Sequence, residues 1–264
     1  MSAPEDGTLG YLEVTAIGIG GMVGGGIFAV LGLSVHLAGG GAPLAFLLAG
    51  LVALVTAYSY SRLAVTFPSR GGTVAFLDRA YGSGIATGAV NILLWLSYMI
   101  MLSLYAHAFG SYGASFFPEA SQLLWKHVLI TGCVVAITGL NLMNTTLIGK
   151  AEDWIVLLKL LILLLFVSVG VWGIDPARLA PATWSPPLEL VAGGMIIFLA
   201  YEGFELIANA AEDVRDPART LPRAFFSAVG LVIVIYVLVA VVTVGSLPLE
   251  RIAAARDYAL AEAA

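Results

Sequence analysis

Between Glu13 and Arg62 the chain carries no Asp, Glu, Lys or Arg. A run of that length accommodates two membrane spans of about 20 residues each. A second such stretch runs from Arg79 to Glu119. Backbone in hydrocarbon must pair its own N–H and C=O groups, which leaves helices and closed barrels. Barrel strands alternate polar and apolar residues, and these runs do not, so the spans are expected to be helical. With mean hydropathy +0.97, 60% hydrophobic and 11% charged residues, a soluble 264-residue domain is excluded. Net charge is −5 and no basic run is present, so no nucleic-acid partner is expected. The lone Cys133 rules out an internal disulfide. Glu5 and Asp6 stand where a signal peptide would be basic, and no cleavable leader is expected.

The apolar runs place seven spans near Leu12–Leu37, Leu44–Val65, Ile85–Phe117, Val128–Leu147, Trp154–Trp172, Leu190–Ala211 and Ala224–Leu247. The third is long enough to tilt. One set of loops holds Arg62, Arg70, Arg79, Lys150, Arg215, Arg219 and Arg223; the other holds Lys126, Arg178, Arg251 and Arg256. The richer side is predicted to be cytoplasmic, which puts the N-terminus inside and, with seven spans, the C-terminus outside.

Two spans carry residues that resist a plain membrane helix. Gly18–Gly26 reads GIGGMVGGG, six glycines in nine positions. Each costs roughly 1 kcal/mol against alanine in a helix interior. A GxxxG packing face (Gly20/Gly24, Gly21/Gly25) needs only two small residues. The excess predicts a broken helix with bare backbone turned towards a ligand. In the sixth span, FLAYEGFE (Phe198–Glu205) sets two carboxylates and a glycine in an apolar segment. A charge at mid-membrane costs at least about 2.5–3.5 kcal/mol, so Glu202 reads as functional; Glu205 also fits a marker of the water-reached half. Interrupted first and sixth spans point to a transporter built from inverted repeats.

These residues resemble a known family. GIGGMVGGGIF (Gly18–Phe28), FLAYEGFE, the loop AEDVRDPARTLPRA (Ala211–Ala224) and LAVTFPSRGG (Leu63–Gly72) are similar to segments of the amino acid–polyamine–organocation (APC) transporters, in the same order. The resemblance implies an all-α membrane protein with the LeuT-like inverted-repeat fold, spans one and six broken. Residues 12–173 then form the first five-helix repeat, and residues 188–264 begin the second within a single transmembrane domain. Members usually have about twelve spans, so the chain is expected to be a fragment or a truncated reading frame.

A broken first helix offers the amides of Gly24, Gly25 and Gly26 at a new helix N-terminus, which suits a carboxylate. A broken sixth helix leaves carbonyls around Phe198, Leu199 and Ala200 at a C-terminal dipole end, which suits an ammonium. An α-amino acid presents both groups. By resemblance, Met22, Val23, Gly24, Gly25, Gly26, Leu199, Ala200 and Glu202 line the substrate site. Relatives often carry Ser or Thr at the place of Gly25 and an apolar residue at Glu202. An acid there favours a cationic substrate, binds the ammonium, or carries a proton; the sequence leaves all three open. Trp95, Tyr98 and Tyr105 sit at spacings that share a face, and Tyr98 is a candidate pocket residue. Lys159 lies five residues beyond Trp154, roughly 7.5 Å deeper. It either snorkels to the cytoplasmic interface or faces the broken first helix. In some proton-coupled relatives a lysine in this span takes the place of a sodium ion, which makes Lys159 the proton-coupling candidate.

Glu152 and Asp153 favour the start of the fifth span. The charged run Glu212, Asp213, Arg215, Asp216, Arg219 and Arg223 reads as a solvated loop or as cytoplasmic gate ion pairs. Gly24–Ala29 formally matches GxGxxA, but no strand precedes it and no acid follows at the spacing of a dinucleotide site. No metal-ligand spacing or nucleophile–base set is present, so neither cofactor, metal nor enzymatic activity is expected. The function implied is a permease moving amino acids by alternating access, coupled to protons or exchanging, in the cell membrane. Its partners are an amino acid, protons and the lipid bilayer; homo-oligomerisation stays open. The alternatives are a seven-helix receptor, disfavoured by the charge bias, a channel, and a transport-dead relative that senses substrate.

Overall fold

Every long apolar run of the sequence is helical. A computed structural model describes residues 7–143, 145–255 and 258–264, the side chains of 143, 145–153 and 253 excepted. Glu5, Asp6, Arg256 and the side chains of Lys150, Glu152 and Asp153, on which part of the charge reading rests, lie outside the described residues.

The helices are α1 (Tyr11–Met22), α2 (Gly26–Ala38), α3 (Ala42–Thr66), α4 (Gly72–Tyr81), α5 (Ile85–Ala114), α6 (Glu119–Met143), α7 (Thr145–Gly170), α8 (Pro187–Tyr201), α9 (Leu206–Asn209), α10 (Pro217–Ser246), α11 (Leu249–Ala254) and α12 (Ala259–Ala263). Among the described residues, six stretches are long and apolar enough to cross a membrane, and α1 with α2 makes a seventh, bent by 48°. The seven expected spans are all found. The fourth begins earlier than expected: α6 runs past Lys126 to Glu119, whose carboxylate sits in the first turn, where the helix dipole favours it. The seventh likewise starts at Pro217, since proline suits the first turn of a helix.

α10 is the hub. Phe225, Ala228, Val229, Val232, Tyr236, Val239 and Ala240 are buried along it, against α1, α3 and α7. α3 meets it with a stripe of buried small residues, Ala42, Ala45, Ala49, Ala53, Ala57 and Ala64, at helical spacing. Small side chains let two membrane helices approach closely. The outer faces of α5, α6 and α7 expose Trp95, Leu123, Val135 and Leu165, the surface that lipid solvates.

Two isolated β-bridges fasten opposite ends of the first span. Before α1, Leu9 donates to the Asp213 carbonyl (2.9 Å) and accepts from the Arg215 amide (2.8 Å). After α2, the Gly40 amide donates to Thr183 (3.0 Å) and Ser185 donates to Ala38 (3.2 Å). The first ties α1 to the loop entering α10. The second ties α2 to the loop entering α8.

Candidate functional site

The glycine-rich segment divides its labour. α1 continues through Gly18, Gly20 and Gly21 and stops at Met22. These glycines serve close packing: a Cβ on Gly18 would lie 2.5 Å from the Ile207 side chain, and one on Gly21 would lie 2.5 Å from the Gly203 carbonyl oxygen. Unwinding is confined to Val23–Gly25. Val23 donates to Ile19 (2.7 Å) and Gly24 to Met22 (2.7 Å). The Gly25 carbonyl accepts from Ala29 (2.9 Å), so α2 is closed from its first residue. The Gly24 amide is therefore engaged. The amides without intrahelical acceptors are those of the first α2 turn, Gly26, Ile27 and Phe28. The buried Tyr236 hydroxyl donates to the Met22 carbonyl (2.8 Å), capping the end of α1 from α10.

In the sixth span α8 ends at Tyr201, and Glu202–Glu205 forms a turn before α9. Glu202 is extended, and Gly203 takes φ +123°, a conformation that side chains resist. The Leu199 carbonyl accepts from the Glu202 amide (3.3 Å). The turn is held by Glu205, only 7% exposed. One of its oxygens, Oε2, accepts from the Gly203 amide (2.7 Å), and Oε1 faces the Tyr98 hydroxyl (3.4 Å). Glu205 is thus a buried fastener of the break, where the sequence also allowed a marker of the watery half.

The second break packs on the last turn of α1, and α2 starts against the end of α8. A Cβ on Gly203 would lie 2.3 Å from the Gly21 carbonyl carbon, and one on Gly26 would lie 2.8 Å from the Ala200 Cα. A Cβ at position 203 or 26 would not fit at these distances. The start of α2 and the end of α8 therefore present opposite dipole ends to one small region.

The sequence-derived residues fall into three places. Met22 and Val23 are fully buried. Gly26 and Ala200 are buried against each other, with Leu199 partly exposed beside them. The others line two cavities. One of about 270 Å³ is lined by Gly21, Tyr98, Tyr105, Glu202 and Glu205. Another of about 280 Å³ is lined by Gly24, Gly25, Phe28, Tyr112 and Lys159. Lys159 lines the cavity that Gly24 and Gly25 also line. Sequence reasoning passed over Glu205, Tyr236 and Gly21 as site residues. The spacing of Glu205 three residues after Glu202 was the available signal; nothing local marks Tyr236, which arrives from α10.

At the α1 end, Arg70 bridges loops to Asp213 (2.7 Å) and Glu212 (3.7 Å), and Arg215 donates to the Gly7 (3.3 Å) and Thr8 (3.1 Å) carbonyls. The charged run thus joins three segments, although Arg70 is largely exposed. Gly24–Ala29 lies at a break between two helices, so the formal dinucleotide match has no strand before it. Among the described residues no group of His, Cys, Asp or Glu has metal-holding geometry.

The model of the family described as amino acid permease matches residues 9–263. The inner membrane transport protein YbaT of Escherichia coli K12 is 37% identical over 262 residues, covering 97% of this chain and 60% of that protein. The methylthioribose transporter of Bacillus subtilis is 29% identical over 268 residues, covering 93% of this chain and 56% of its own length. The branched-chain amino acid permease BcaP of the same organism is 27% identical over 266 residues, with 93% and 56% covered. The chain spans about three fifths of the length of these curated relatives. A permease match over nearly the whole chain, on seven apolar spans with the first and sixth interrupted, makes this a multi-pass, all-α membrane protein that belongs to the amino acid permease family of the APC superfamily.

Proposed function

We propose that the chain forms the substrate-binding part of a secondary transporter that moves amino acids across the cell membrane by alternating access, and that it is not an enzyme. The observation that carries this reading is the close approach of the second break to the last turn of α1 at Gly21 and Gly203, and of the start of α2 to the end of α8 at Gly26 and Ala200. In it, the first-turn amides of α2 (Gly26, Ile27, Phe28) take the substrate carboxylate, with Gly24 and Gly25 leaving the approach open. The C-terminal end of α8, at Leu199 and Ala200, and the Glu202 carboxylate take the ammonium, with Tyr98 on the facing wall. Backbone at Met22 and Val23 shapes the floor. Lys159, beside Gly24 and Gly25, is the proton-coupling group. The N-terminus is cytoplasmic, and residues 12–173 and 188–264 belong to two inverted repeats.

The test is uptake of radiolabelled amino acids into proteoliposomes holding the gene product that contains this chain, with and without an inward proton gradient. Saturable uptake of an amino acid, stimulated by the gradient or by the same solute inside, is the expected result. Binding without uptake makes the protein a sensor. Uptake of methylthioribose alone, with no amino acid bound, removes the zwitterion reading.

A further inference from the structure

On α5 the cavity-lining residues change partners along the helix. Tyr98, Met101, Leu102 and Tyr105 face the cavity that holds Glu202 and Glu205; Ala108, Phe109 and Tyr112 face the one that holds Gly24, Gly25 and Lys159. The first span changes over at the same level, with Gly21 in the former cavity and Gly24 in the latter. At the changeover stands Tyr105. Its ring lies flush on Gly25: a Cβ there would be 2.7 Å from the ring Cδ1, 2.9 Å from Cγ and 3.1 Å from the Tyr105 Cβ. The tyrosine fills the volume that any side chain at position 25 would occupy.

We propose that Tyr105 is a specificity-determining residue, a partition between the carboxylate-lined cavity and the glycine- and lysine-lined one, which sets the size of solute that can bridge them. This rests on the transport reading above. The absence of a side chain at Gly25 and the ring of Tyr105 form one steric unit: the first makes room, the second fills it. A zwitterion that joins the α2 amides to the α8 end must settle against this ring, so its side chain competes with the tyrosine for space. Removing the ring merges the two cavities and admits bulkier side chains, while small substrates lose a wall.

The experiment measures dissociation constants for alanine and leucine in the purified gene product that contains this chain, alongside the thermal midpoint of each variant. Tyr105→Ala should shift the affinity ratio towards leucine by roughly tenfold or more, the low end of what one methylene of pocket space is worth. Tyr105→Phe should leave the ratio as it is, because the ring and not the hydroxyl meets Gly25. Gly25→Ala should weaken both ligands and lower the midpoint when Tyr105 is present, and do neither in the Tyr105→Ala background. An unchanged ratio in Tyr105→Ala overturns the assignment. So does equal damage by Gly25→Ala in both backgrounds. If the parent protein binds neither amino acid, the pairing of ring and glycine is judged by the thermal midpoints, which need no ligand, and the transport reading by the uptake assay above.

Discussion

At Val23–Gly25 the helix stops with no side chain of its own holding it open, whereas at Glu202–Glu205 a buried carboxylate ties the turn shut. The first break is made by subtraction. Glycine removes helix propensity, and the one cap, Tyr236, comes from another span. The second is made by addition. Glu205 supplies acceptors to the Gly203 amide and the Tyr98 hydroxyl, and Gly203 supplies a backbone angle that other residues resist. The contrast matters because the second break packs at Gly203 on Gly21, one residue before the end of α1. A soft break with free amides faces a fixed break with carboxylates.

Substitutions that treat the two breaks alike should have unequal outcomes. Gly203→Ala demands a Cβ 2.3 Å from Gly21 at a positive φ. We expect a loss of about 3 kcal/mol or more, read as failed purification or a collapsed thermal midpoint; a midpoint near the parent's would mean that the second break is not fixed. Glu205→Ala strands the Gly203 amide in a buried setting and should cost about 1–3 kcal/mol. Glu205→Gln keeps an acceptor and should recover most of that loss in the same melt. Tyr236→Phe removes the cap on Met22 and is expected to cost about 1–2 kcal/mol. Lys159→Met should leave the melt and substrate binding close to the parent's while uptake loses its pH dependence; unchanged uptake across pH removes Lys159 from coupling. The smallest effect belongs to Gly24→Ala, whose Cβ meets nothing closer than 3.6 Å. Its midpoint should stay within about 1 kcal/mol of the parent, and a gain would show that the first break tolerates added helix propensity.

The fold was readable because membrane burial writes itself in one dimension. A long, predominantly apolar run has to be a span, and all seven appeared. The breaks were readable in kind but less so in place. Glycine composition predicted unwinding over Gly18–Gly26, yet Gly18, Gly20 and Gly21 are helical. The same residue type serves both close packing and loss of helix, and only the neighbours (Ile207 for Gly18, Gly203 for Gly21) decide between them. Those neighbours sit nearly two hundred positions away in sequence. Lys159 shows the limit from the other side. Its place on the fifth span followed from counting residues, but the cavity that it lines depends on the rotation of α7 about its own axis. Tyr236 lay beyond reach altogether: a tyrosine in an apolar span looks like packing until the carbonyl it caps is known.

The fastenings at Leu9–Val214 and Gly39–Trp184 are made of amide and carbonyl groups. An ion pair that opens and closes must strip and regain water around each charge at every turn. A pair of peptide hydrogen bonds exchanges its partners for water at far smaller expense in either direction. At the α2 end the seam thus parts without stranding a charge, whereas at the α1 end Arg70 and Arg215 reinforce the same kind of seam with charged partners.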